Sequence, residues 1–183
     1  MLQLSLRRLD SVWDDQKQEF RSIGGVTVEL VHTLYTVSKW EQKYKKPFAR
    51  IQDVSKKELL DYIMNFMCQT PDVDPVDWLV LTEKDIQKIT DYMKDPECAT
   101  TIRRVPGQEG IGKRRETMTA EVIYYHMCQF NIPFECEHWH LNRLMLLLDV
   151  AAIKSSPPRK MGKKASAKYQ SQLIKARRAG GGM

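Results

Sequence analysis

The stretch Ile132-Pro133-Phe134-Glu135-Cys136-Glu137-His138-Trp139-His140-Leu141-Asn142-Arg143-Leu144-Met145-Leu146-Leu147-Leu148-Asp149, continued by Val150-Ala151-Ala152-Ile153, decides the fold class. It is the most apolar part of the chain, and after the interruption at Pro133 it predicts a helix from about residue 135 to 153. Its longest uninterrupted apolar run is only Leu144 to Leu148, closed by Arg143 and Asp149. A membrane-spanning helix needs about twenty apolar residues, so no bilayer crossing is expected. Just upstream, Val122, Ile123, Tyr125 and Phe130 predict a partner helix over about 119–131.

Outward from this pair, further helices announce themselves by their caps. Ser55-Lys56-Lys57-Glu58 is a capping box, in which the serine accepts from the third residue's N–H and the glutamate returns the contact. Leu59, Ile63, Phe66 and Met67 follow at helical spacing. Thr70-Pro71 and Asp74-Pro75 punctuate a loop, and Thr82 caps a helix containing Ile86, Ile89 and Met93 that stops at Asp95-Pro96. Residues 99–105 read as extended and 106–112 as a turn. Leu30, Leu34, Val37 and Glu41 share one stripe, predicting a helix over about 29–44 that Pro47 ends, with Tyr35 and Trp40 beside the stripe. At the N-terminus Leu2-Gln3-Leu4-Ser5-Leu6 alternates, and after Gly24-Gly25 the β-rich Val26-Thr27-Val28-Glu29-Leu30 can pair back with it. Trp13 and Phe20 lie in the connection, read as irregular or briefly helical. The expected fold is mainly α with a small β component (α+β): a compact helical body with a short N-terminal β-hairpin and a basic C-terminal extension.

With 183 residues the chain can bury a sizeable core, and 42% hydrophobic with 28% charged residues are ordinary globular values. Its charge is unevenly placed. Residues 154–183 hold nine basic residues and no acid, which leaves 20 basic against 23 acidic over residues 1–153. Two regions are therefore expected: a mostly helical globular body over 1–153 and a Pro-linked basic arm over 154–183, joined through Ser155-Ser156-Pro157-Pro158. Arg159, Lys160, Lys163, Lys164, Lys168, Lys175, Arg177 and Arg178 are the candidate partner-binding residues, suited to an anionic partner. Within the arm 165–179 can be helical, with Leu173 and Ile174 as its only large aliphatics. Residues 1–10 show no export leader, which favours an intracellular chain whose four cysteines are free thiols.

Three motifs suggest chemistry. Gly107-Gln108-Glu109-Gly110-Ile111-Gly112-Lys113 has phosphate-loop spacing, but Arg114 stands where a magnesium-binding hydroxyl is required. A basic turn is expected instead, in which Arg103, Arg104, Lys113, Arg114 and Arg115 can hold an anion electrostatically. His126, Cys128, Cys136, His138 and His140 are good zinc ligands by type. Their i,i+2 spacing puts neighbours on different helix faces, so no metal is assigned and a packed helical hairpin is expected. Cys136 and His138 lack a third, orienting group, and no paired carboxylates or nucleophile elbow are present, so no catalytic residue and no cofactor is expected.

Longer motifs carry a family resemblance. Leu30-Val31-His32-Thr33-Leu34, Ser38-Lys39-Trp40-Glu41, Lys46-Pro47-Phe48, Thr119-Ala120-Glu121-Val122-Ile123-Tyr124-Tyr125, Ile132 to Glu137, and Trp139-His140-Leu141-Asn142-Arg143-Leu144 together resemble the tail assembly chaperones of long-tailed bacteriophages. Pro157-Pro158-Arg159-Lys160-Met161 and Ala176-Arg177-Arg178 extend the likeness over about residues 2–178. His126, where a bulky aromatic is expected, and the closing Gly180-Gly181-Gly182-Met183 depart from the pattern. The resemblance implies a non-enzymatic factor of the host cytoplasm that keeps the tape measure protein soluble while tail-tube subunits polymerise. The tape measure protein is then the expected partner, with the tail tube protein and a second copy of the chain as further candidates. The alternative is a virion structural protein (neck, baseplate or tail-terminus subunit) whose arm docks on neighbouring subunits. Nucleic-acid binding ranks third, because Tyr169 is the only aromatic among the arm's basic residues. Trp40, Pro47, Tyr124, Tyr125, Pro133, Trp139, His140, Asn142 and Arg143 are taken as the fold signature, with Trp139 expected buried and Asn142 bonded to a neighbouring backbone.

Overall fold

Alternation at the N-terminus buries Leu4 and Leu6 and leaves Gln3 and Ser5 exposed, and the chain pairs accordingly. In the computed structural model, which describes residues 1–14, 18–48, 54–95, 98–100, 117–155, 167 and 169–175, strand β1 (Leu2–Ser5) runs antiparallel to β4 (Thr27–Leu30). Leu2 lies opposite Leu30 and Ser5 opposite Thr27, as the alternation requires. The connection is not irregular or helical as expected. It is a second antiparallel ribbon, β2 (Leu9–Asp14) with β3 (Glu19–Ile23), whose register shifts between Leu9 and Val12. Two cross-strand aromatics explain it: Trp13 faces Phe20 edge-on with ring centroids 5.1 Å apart, a pairing worth more in a ribbon than the weak helical pattern of the segment. Gly24, at φ +71°, then turns the chain beside Arg7, and its N–H donates to Asp77 at 2.7 Å.

Helix α1 spans Leu34–Tyr44 rather than starting near residue 29. Glu29 and Leu30 belong to β4, and Thr33 caps the helix with Thr36 in a capping box. Lys45 closes it in the left-handed region (φ 56°), and Pro47 follows where no helix can continue. Helix α2 (Lys56–Tyr62) opens on the predicted Ser55–Glu58 box but passes into a π-helical segment, Ile63–Met67, closed by Cys68 N–H to Ile63 O at 3.2 Å. Beyond it the chain lies along β4: Val31 N–H donates to Met67 O at 2.9 Å and Gln69 N–H to Glu29 O at 2.8 Å. The expected loop at 70–81 contains a 3-10 segment, Pro75–Val80, capped by Asp74. Helix α3 (Glu83–Lys94) is capped by Thr82, as the sequence signals, and helix α4 (Ala120–Gln129) by Thr119.

The long helix expected over 135–153 is split. A 3-10 segment, Phe134–His138, precedes helix α5 (Leu141–Ser155), with a break at Trp139–His140. At the break the backbone bonds across the fold instead of along a helix: Leu141 N–H donates to His32 O at 2.9 Å, and His140 bridges to Thr33. No periodicity within the segment encodes that contact.

Two apolar clusters result. One gathers Leu4, Val28, Leu30, Val37, Trp40, Tyr62, Met67 and Ile89 from the strands and α1–α3. The other gathers Leu34, Ile123, Met127, Cys136, Leu144 and Leu148 from α1, α4 and α5. Helix α1 feeds both, and Leu141 packs against both. The protein is thus an α+β fold with N-terminal strands and a helical body. Among the described residues no helix is long and apolar enough to cross a membrane. In the arm, residues 167 and 169–175 are helical, while the Pro-Pro linker lies outside the described residues, as does the turn at 106–112.

Candidate partner-binding cleft

Between the clusters runs a buried polar spine. His32 Nδ1 lies 2.7 Å from the Tyr62 hydroxyl, which lies 3.0 Å from Thr36 Oγ1; that hydroxyl donates to Thr33 O at 2.9 Å. His140 stacks edge-on against His32 (5.5 Å) and Tyr92 (4.9 Å), with its Nε2 3.1 Å from Tyr92 O. Burial lowers the His32 pKa to about 3, with the neighbouring His140 adding to the effect, so the imidazole is neutral. Burial likewise raises Tyr62 far above the usual phenol range. Nearby, the Glu41 carboxylate accepts from Phe48 N–H at 2.6 Å and Ala120 N–H at 2.7 Å, tying α1 to the start of α4. Burial pushes its pKa up against those two hydrogen bonds.

Above this spine lies a cleft of about 570 Å³ between α1 and the π-helical segment. Tyr35 and Lys39 are one turn apart on the side of α1 opposite its buried residues. Lys39 Nζ sits 5.3 Å from the Tyr35 ring centre, and the His138 ring lies tilted against the same tyrosine with centroids 5.5 Å apart. The facing wall is Asn65 and Phe66, then Cys68 and Gln69. A π turn contains one more residue than an α turn, which re-aims the side chains that follow it. Thr33, Thr36 and Val31 complete the lining, and among the described residues no carboxylate belongs to it.

Other apolar groups face solvent. Trp13 is 49% exposed and Phe20 69%, on the ribbon whose Val12 and Ile23 pack into the first cluster. Helix α5 fully buries only Leu144 and Leu148, while Met145, Leu146, Leu147, Val150 and Ile153 are half-buried.

The signature residues divide by location. Trp40 is fully buried and its indole N–H donates to Glu58 O at 3.2 Å. Pro47 lies just past α1, and Pro133 caps the 3-10 segment. The Tyr124 hydroxyl donates to Glu137, whereas Tyr125 is exposed rather than on the apolar face of its helix. His140 is buried, and Asn142 donates to Met93 O at 2.8 Å and Asp95 O at 3.0 Å, stapling α5 to the end of α3. Trp139, expected buried, is 36% exposed because the break before α5 turns it outward, where the Arg143 guanidinium covers it at 4.4 Å.

Of the arm residues Lys175 is exposed on the 169–175 helix; Arg159, Lys160, Lys163, Lys164, Lys168, Arg177 and Arg178 lie outside the described residues. The glycine turn and its basic neighbours, Arg103 to Arg115, also lie outside them. The five candidate zinc ligands are not gathered: Cys136 is buried in the second cluster, Cys128 is exposed, and His126 Nδ1 sits 3.2 Å from Gln129 Oε1. Among the described residues no three His, Cys, Asp or Glu side chains are placed to hold a metal ion. Sequence reasoning did not single out the cleft, although Tyr35 and Lys39, one turn apart and off the apolar stripe, were its available signal. Comparison of the chain with protein-family models, with curated proteins and with solved structures gives no match, so its function is read from its own residues and geometry.

Proposed function

We propose that the protein is a non-catalytic bacteriophage tail assembly chaperone that binds the tape measure protein in the host cytoplasm. The observation that carries the reading beyond the motif resemblance is the exposed Trp13–Phe20 pair, two cross-strand aromatics facing solvent on the β2–β3 ribbon. A chaperone for a long apolar client draws affinity from burying apolar surface, and aromatic anchors dominate such contacts. The half-buried Met and Leu side chains of α5 add adaptable apolar surface elsewhere on the molecule. The test is co-purification of the full chain from an infected-cell lysate, with mass spectrometry of mature particles alongside. Recovery with the tape measure protein and absence from particles support the proposal; no association in a lysate that assembles tails sinks it.

The helix at 169–175, with Ile174 half-exposed, favours a second reading as a virion subunit whose arm docks on its neighbours. Stoichiometric presence in mature particles would select it.

A further inference from the structure

We infer that the cleft between α1 and the π-helical segment is a binding site for an extended acidic peptide that sets an apolar side chain next to a carboxylate. The inference goes beyond the proposed function and stands whether or not the client is a tape measure protein.

Charge complementarity identifies the ligand's sign. Lys39 and His138 line the cleft and, among the described residues, no carboxylate does. His138 lies 3.5 Å from Glu137, but among the described residues Lys39 is in no ion pair and rests on the Tyr35 ring, which holds its ammonium at the cleft without neutralising it. The chain's own basic arm is excluded by the same argument, since residues 154–183 contain no acid.

Magnitude identifies the rest. One exposed ion pair improves affinity by at most about fivefold, too little to hold a small anion. The Tyr35 and Phe66 faces must supply the remainder by taking up an apolar side chain. On the far wall the Gln69 carboxamide, and the Asn65 carbonyl oxygen beside the amide that donates to Asp61, suit the amides of an extended backbone. The cleft's volume is ordinary for ligand sites, and π turns recur at such sites.

The test uses the intact chain and an acetylated, amidated hexapeptide of alternating leucine and glutamate, followed by two-dimensional amide NMR. Saturable shifts confined to residues 31–39, 65–69 and 138 are expected. Lys39→Glu, which replaces attraction by repulsion at an exposed position, weakens binding about tenfold, while Lys39→Arg stays within about threefold of the parent. Tyr35→Ala weakens binding without altering the thermal melt, which separates lost contact from lost fold. The inference is overturned by shifts lying elsewhere, by equal binding of the glutamine-for-glutamate peptide, by absence of binding at millimolar peptide, or by preferential binding of a single-stranded oligothymidylate at the cleft.

Discussion

At His32 a histidine is kept neutral by its surroundings, and the consequence is a pH dependence of stability. The folded chain holds its pKa near 3, against 6.5 for the free group, so protonation favours the unfolded state. This contribution is complete above about pH 6.5 and declines as the pH falls. Between pH 7.5 and 4.5 it should remove about 2–3 kcal/mol of stability. His32→Gln, which does not titrate, should flatten that part of the profile in urea unfolding; equal slopes for parent and variant would refute the assignment. Glu41 is the second decisive residue, because its carboxylate is the acceptor for two backbone donors at buried positions. Glu41→Ala leaves both N–H groups without that acceptor and should cost about 2–4 kcal/mol, and Glu41→Gln less, since one carbonyl oxygen remains. Denaturant midpoints of the two variants give the comparison. The sequence placed Glu41 on the apolar stripe of α1 but not its partners, since Ala120 is brought to it only by packing.

Elements whose boundaries depend on adjacent residues followed their signals. Ser55 and Thr82 each cap the helix they were expected to cap, because a cap is a contact over three residues, and Thr119 caps α4 in the same way. The π turn after α2 was not legible, since Leu59, Ile63 and Met67 repeat at spacings that an α-helix satisfies equally. Two element-scale predictions follow from the N-terminal strands. A methyl at Gly24 would lie 2.1 Å from Arg7 O at a φ of +71°, so Gly24→Ala should destabilise by at least about 2 kcal/mol, seen as a lowered thermal midpoint. By contrast, replacing Trp13 and Phe20 together by serine removes a solvent-facing pair and should cost at most about 1.5 kcal/mol. The same variant should lose co-purification with the client. Retained capture would separate the ribbon from partner binding.

Across the whole molecule, α1 couples the two clusters. Leu34 is fully buried in the second, while Val37 and Trp40, on the next turns, are buried in the first. Leu34→Ala should therefore cost about 2–5 kcal/mol and still give a single transition, with tryptophan fluorescence and far-UV circular dichroism coinciding. Two separated transitions would show that the clusters melt independently. The same helix carries Tyr35 and Lys39 on its outer side, so the cleft is set on an element fixed from both sides.

The sequence by itself determined the helices with local caps, the pairing of β1 with β4 and the uneven division of charge, because each depends on composition or on neighbours a few residues apart. Only the tertiary structure decided the rest. The break at Trp139–His140 exists because Leu141 bonds to His32, and the outward turn of Trp139 follows from it. The cleft joins residues from α1, the π turn and the 3-10 segment, which no local pattern relates. Long-range hydrogen bonds and packing override periodicity where they satisfy backbone groups that a continuous helix would otherwise have used.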